Sequence, residues 1–165
     1  MTPIAVLGTQ FTLSLIAFAL IARWHVAPRL AHRPRDAALI PLLWVQVFRF
    51  APLALYAPGQ VDPRIPADVA AAVGYGDLVS GLLALGALFA VRWQLRAALG
   101  LVWVFSVVGI GDLLFATLKA VQAHMYSFYM GWNWYILNFY VPLLVVSHVM
   151  ILKLLLRRPQ PVRPE

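Results

Sequence analysis

Two carboxylates stand where carboxylates are costly. Asp77 follows Gly74-Tyr75-Gly76 and Asp112 follows Gly109-Ile110-Gly111, each inside a long apolar run. A third charged residue, Arg49, lies in another such run, between Phe48 and Phe50. Two carboxylates and one guanidinium can bind a cation, hold and release a proton, or work as an acid and a base. With all three ionised the group sums to −1, and a buried net charge is costly. Either one aspartate then holds a proton or a cation occupies the site. Two carboxylates that close would titrate as a pair.

The elements that carry these groups follow from composition. The chain has 165 residues, 62% of them hydrophobic and 12% charged. A soluble domain would be near half apolar, and here the excess is gathered in runs of about 20 residues. The expected fold is all-α, a polytopic membrane bundle of five helices in one domain over residues 1–156. The spans are about 2–22, 37–57, 67–91, 97–120 and 132–156, followed by a disordered basic tail over 157–165. The N-terminus lacks a basic n-region and an Ala-x-Ala cleavage site, so the first run reads as a retained helix. In the second span Pro41 falls in the first turn, and Pro52 frees the carbonyl of Phe48 and kinks the helix. Cysteine is absent, which excludes disulfides, thiolate metal sites and cysteine nucleophiles. No metal site is expected. Nucleic acid is excluded as a partner of the +7 net charge, because the charges sit in the gaps between apolar runs, where topology accounts for them.

Topology follows from the same charges. Arg23, Arg29, Arg33, Arg35, Arg92, Arg96, Lys153, Arg157, Arg158 and Arg163 fall on one side, and Arg64 and Lys119 on the other. The positive-inside rule then puts the N-terminus outside and the C-terminus in the cytoplasm. The excess of arginine over lysine suggests a bacterial chain, hence the cytoplasmic (inner) membrane.

Counting depth at about 1.5 Å per residue brings one polar residue of each span to one level in the outer half of the bilayer. Gln10, Arg49, Asp77, Asp112 and Asn138 all lie about 9–14 Å from the outer ends of their spans. Asp77 shares a face with Gly74, Ser80, Gly81 and Ala84, small residues that allow close helix approach. Arg49 lies with Gln46, and Asn138 continues to His148. Charged groups at such depth cost at least about 2.5–3.5 kcal/mol and so should face one another or a wet cavity. The expected ligand-binding set is Arg49, Asp77, Asp112 and Asn138, with Gln46 and Gln10 in second rank. Trp134 and Tyr135 are expected at the entrance, under an aromatic connection from His124 to Tyr129. His148 could extend the polar path through Gln46. No cofactor is expected. A haem on His148 lacks a second axial histidine at its depth within one protomer, and only a dimer axis could supply one.

The repeated Gly-x-Gly-Asp string, Gly74-Tyr75-Gly76-Asp77 and Gly109-Ile110-Gly111-Asp112, resembles the motif that carries a catalytic aspartate in the intramembrane aspartyl proteases of the presenilin and prepilin-peptidase types. The resemblance covers those eight residues and implies a catalytic pair, Asp77 and Asp112. The Tyr-Asp partner motif of those families is missing, and Val141-Pro142-Leu143 stands where a Pro-Ala-Leu element would be sought.

The leading expectation is a membrane protein that binds or conducts a small cation, a proton or a lipophilic ligand entering from the outer side. The two aspartates would be the acceptors and Arg49 would tune their charge. The alternative is an intramembrane isomerase or hydrolase acting on a lipophilic substrate, with Asp77 and Asp112 as acid and base. Such a chain would be similar in architecture to the small five-span sterol-isomerase type. A third reading is an accessory subunit of a larger membrane complex, with the polar layer locking the bundle. Expected partners are the lipid bilayer, further copies of the chain or a larger complex, and a small cationic or lipophilic ligand. The Gly/Ala faces of the third span would permit close packing between copies.

Overall fold

Prolines mark where two of the helices begin. Pro34 and Pro66 hold extended backbone, and a helix starts at the next residue in each case. Asp36 and Asp68 fall in the first turns, where a carboxylate complements the helix dipole. The computed structural model describes residues 1–157. Those residues form an all-α bundle of five helices long and apolar enough to cross a membrane: α1 Pro3–Ala31, α2 Arg35–Tyr56, α3 Ala67–Arg92, α4 Ala98–Gln122 and α5 Asn133–Leu155. The tail expected beyond Arg157, with Arg158 and Arg163, lies outside the described residues.

Three internal prolines are accommodated by changes of helical pitch. Around Pro52, α2 tightens into a 3-10 helix over Phe48–Tyr56. Ahead of Pro28 and Pro142, α1 and α5 each widen into a π-turn, Ala22–Val26 and Ile136–Tyr140. The wider turn eases the clash between the proline ring and the carbonyl four residues back. For this reason α1 runs on to Ala31, past the end at residue 22 that the charged Arg23-Trp24-His25 suggests. Because α2 begins at Arg35, Pro41 lies in its second turn, not its first.

The 3-10 stretch has a direct consequence. Side chains three apart eclipse in that geometry. Arg49, Pro52 and Leu55 are the buried residues of the stretch and form one row against α3.

α3 packs between α2 and α4, and α5 packs against α2, α1 and, more lightly, α4. α1 is peripheral, with no buried residue between Pro3 and Ile21. Two apolar cores result. One, toward the end holding the Arg92–Arg96 turn, includes Leu39, Leu43, Val102, Phe105 and Ile151, all fully buried. The other, toward the opposite end, gathers Leu55, Ile65, Val69, Met125 and Met130. We call these the basic end and the loop end. Trp24, Trp44, Trp93, Trp103, Tyr56, Tyr129, Trp132 and Tyr135 all stand exposed, as aromatic residues of a membrane-interface belt do.

At the loop end the α2–α3 loop is clasped to the α4–α5 connection. The Asp62 amide donates to the Tyr129 carbonyl at 2.8 Å. Gly131 turns with φ +48°, and a Cβ there would strike the Gln60 carbonyl. Arg64 bonds Asp62 through its side chain and its backbone N–H, holding the carboxyl down to about 2. A lowered folded value means that this clasp contributes fully above the ordinary aspartate range and fades only as pH falls through about 2. Any pH response of the protein near neutrality therefore arises elsewhere, and Asp62→Asn should leave such a response intact when thermal unfolding is followed across that range.

Candidate functional site

Between the two apolar cores lies a polar slab centred on Arg49. Its side chain is fully buried. Nε donates to Asp77 Oδ1 at 2.7 Å, Nη2 to Asp112 Oδ2 at 2.6 Å and Nη1 to the Gly109 carbonyl at 3.0 Å. Both ion pairs are short enough to be charge-assisted hydrogen bonds. Asp112 Oδ2 also accepts from Ser80 Oγ at 3.3 Å. One guanidinium thus ties α2 to α3 and α4 together.

Each Gly-x-Gly-Asp string supplies the space this needs. Gly76 of the first string lies under Asp112 of the second, where a Cβ would collide with Oδ1. Gly109 of the second lies under Arg49 and His148, whose Nη1 and Nε2 would be 2.9 and 3.0 Å from a Cβ. Gly81 admits the α2 backbone, with the Val47 carbonyl 3.1 Å from a Cβ position, and Gly74 admits the Tyr56 ring. The α3 face of Gly74, Gly76 and Gly81 is filled within the chain, whereas Gly86 of the same helix meets nothing within 4 Å. Gly111 meets nothing within 4 Å. Gly76→Ala should therefore cost about 1–3 kcal/mol of stability through overpacking, while Gly111→Ala should be neutral or slightly stabilising on helix propensity. Thermal unfolding of the two variants checks this.

A second set of polar residues sits on the basic-end side of Arg49. Gln46 Nε2 lies 2.8 Å from Ser147 Oγ, 2.8 Å from His148 Nδ1 and 3.1 Å from the Leu144 carbonyl, three acceptors for two hydrogens. Where it donates to Nδ1, the imidazole proton is on Nε2. Nε2 and Gln46 Oε1 are buried without a partner. The His148 ring stacks on Phe105 at 5.1 Å. Beyond this set the apolar core of Leu39, Leu43, Val102 and Ile151 closes the way to the basic end. Tyr140 donates to the Val45 carbonyl at 2.7 Å, just before the pitch of α2 changes and a carbonyl is left short of an amide. Tyr140→Phe should cost about 1 kcal/mol, measurable in the same unfolding assay.

On the loop-end side the cluster meets a cavity of about 50 Å³ whose lining includes Asp77, Pro52, Leu55, Ala116, Met125, Asn133 and Leu137. One water needs about 10–15 Å³ of such space, so the cavity admits several waters or a slender group. Asp77, Thr117 and Asn133 are the polar residues of its lining, and Asn133 Nδ2 is buried without a partner.

The remaining residues expected at the site are placed elsewhere. Asn138 is buried but donates to the Trp134 carbonyl one turn back in α5, and its Oδ1 has no partner. Gln10 is exposed and accepts from Trp134 Nε1 at 2.8 Å, joining α1 to α5. Tyr135 is exposed and lines an outward-facing apolar groove between α2 and α5 with Phe48, Trp132 and Phe139. Neither Trp134 nor Tyr135 lines the cavity. The level counted along the helices is shared, but depth alone does not fix the angle at which a side chain leaves its helix. The π-turn of α5 rotates Asn138 relative to a regular helix. Asn133, absent from the expected set, carried no signal, because an asparagine at a helix start reads as an interfacial residue.

The pair implied by the protease resemblance shares one positive partner: Asp77 and Asp112 bond different nitrogens of a single guanidinium, Nε and Nη2, and a positive neighbour favours the ionised form of a carboxylate. Among the described residues no three His, Cys, Asp or Glu come together as metal ligands.

A family match covers residues 6–156. The chain belongs to the family described as domain of unknown function (DUF8737). The DUF8737 match spans every residue of the slab, from Gln46 to His148. No curated protein and no solved structure matches the chain.

Proposed function

We propose that this protein is a multi-pass protein of the bacterial cytoplasmic membrane, N-terminus outside, that binds a proton or another small monovalent cation from the outer side. The observation that carries the reading is the charge of the cluster. One guanidinium faces two carboxylates, leaving −1 in a buried position, and Asp77 is reached through a cavity on the loop-end side. A charge so placed is retained at a cost and calls for a counter-ion. Orientation rests on the clustering of basic residues at one end of the bundle, which the positive-inside rule assigns to the cytoplasm. Binding is favoured over open conduction because fully buried apolar side chains seal the basic-end side of the slab.

Two experiments test this. The chain has no cysteine, so single cysteines report sidedness cleanly. Ser127→Cys should react with an impermeant maleimide in intact cells and Ala97→Cys only after lysis, and the reverse pattern contradicts the orientation. For function, thermal stability of the lipid-reconstituted protein should carry a pH dependence in the wild type that is absent in Asp77→Asn. An unchanged dependence in the variant overturns the assignment.

A further inference from the structure

The cavity beside Asp77 has two ends of opposite need. Asp77 belongs to a cluster with one negative charge in excess, so the floor calls for a cationic donor. Asn133, 4% exposed, is a lining residue whose Nδ2 has no partner, so that point calls for an acceptor. A bare metal cation meets one carboxylate and repels the amide hydrogens, and the three-residue ligand groups of a metal site are missing among the described residues. The other lining residues are apolar, Leu55, Ala116 and Leu137 among them, apart from the hydroxyl of Thr117, and no aromatic residue among the described ones lines the cavity. Quaternary ammonium groups are held by aromatic faces, which this site does not offer. An N–H-bearing ammonium suits a carboxylate floor instead. The lining of α5 runs from Asn133 to Val141, about 12 Å along the axis.

We propose that this cavity binds a slender primary or secondary alkylammonium compound, its nitrogen donating to Asp77 and a hydrogen-bond acceptor farther along its chain meeting Asn133 Nδ2. The proposal names the ligand class of the cluster described above and rests on that reading. The aliphatic walls hold the chain, the carboxylate fixes its head, and Asn133 selects chains that carry an ether, ester or hydroxyl oxygen at the right reach.

The test is calorimetric titration of the full chain in lipid nanodiscs, with empty nanodiscs as blank. The probes are methoxypropylammonium, its isostere pentylammonium, and methoxypropyl-trimethylammonium. Saturable binding of methoxypropylammonium is expected, about tenfold tighter than pentylammonium, the factor set by one buried donor left unpaired. Asn133→Leu should remove that preference while still binding pentylammonium, and Asp77→Asn should abolish binding of both. The trimethyl probe should bind at least about tenfold more weakly than the primary amine, having lost the N–H donors. Absence of saturable amine binding in a wild type that takes up a proton at Asp77 overturns this proposal and spares the cation reading. Absence of both overturns both. Equal binding of the trimethyl probe overturns the donor argument, and a methoxy preference that survives Asn133→Leu overturns the role of Asn133.

Discussion

Arg49→Leu is expected to destabilise the bundle by about 3–5 kcal/mol, the range for removing one partner of a buried ion pair. The reason is what it leaves behind. Two carboxylates, whose side chains are only 7% and 10% exposed, lose the group that donates a hydrogen bond to each. A lone charge at that depth costs at least about 2.5–3.5 kcal/mol on insertion scales. Arg49→Lys should also be poorly tolerated, because a single ammonium cannot reproduce three bonds aimed at α3, α4 and the Gly109 carbonyl. The triple variant Arg49→Leu, Asp77→Asn, Asp112→Asn should recover much of the loss, since most of the cost of breaking a buried ion pair is the uncompensated charge left behind, which the two asparagines remove. Thermal unfolding in lipid measures all three. A triple variant no more stable than Arg49→Leu would mean that the guanidinium acts through packing and not through charge.

The second large effect is on binding and separates a functional cluster from one that only locks helices together. Asp77→Asn and Asp112→Asn each bring the group to zero net charge. The asparagine oxygen can still accept from Arg49, so the stability change is that between a charged and a neutral hydrogen bond, on the order of 1 kcal/mol. Cation or proton uptake, by contrast, should fall by more than about tenfold, because the excess negative charge is gone. A purely structural cluster would show the opposite pattern, with a marked loss of stability and no change in any cation-linked signal. Proton-uptake stoichiometry measured beside unfolding on the same samples distinguishes the two patterns.

Much of this was legible in the residues. Five helices follow from the apolar runs and their proline and basic punctuation, and each expected span overlaps an observed helix. The meeting of Arg49, Asp77 and Asp112 follows from depth counting and the cost of buried charge. Other features needed geometry. A proline announces a disturbed helix but not its sense, and here Pro52 accompanies a tighter pitch while Pro28 and Pro142 follow wider ones. That change of pitch decides that Arg49 lines up with Pro52 and Leu55, and that Asn138 leaves the cluster for a local bond. Depth counts axial position and is blind to rotation, which is why Gln10 and Trp134 lie near the expected level yet bond each other at the periphery. The glycines of the two strings suggested close packing, but not that Gly76 makes room for Asp112 and Gly109 for Arg49 and His148. Those contacts run between helices, and no single stretch of sequence encodes them.

The most direct test of the central claim, that the Arg49–Asp77–Asp112 group carries one negative charge neutralised by an exchangeable cation, is an infrared pH titration of the lipid-reconstituted protein in amine-free buffer. The wild type should show a protonated-carboxyl C=O band that disappears as pH rises, survives Asp62→Asn and is lost in Asp77→Asn and in Asp112→Asn. A wild type without such a band, or a band that persists in both of the latter variants, would contradict the account.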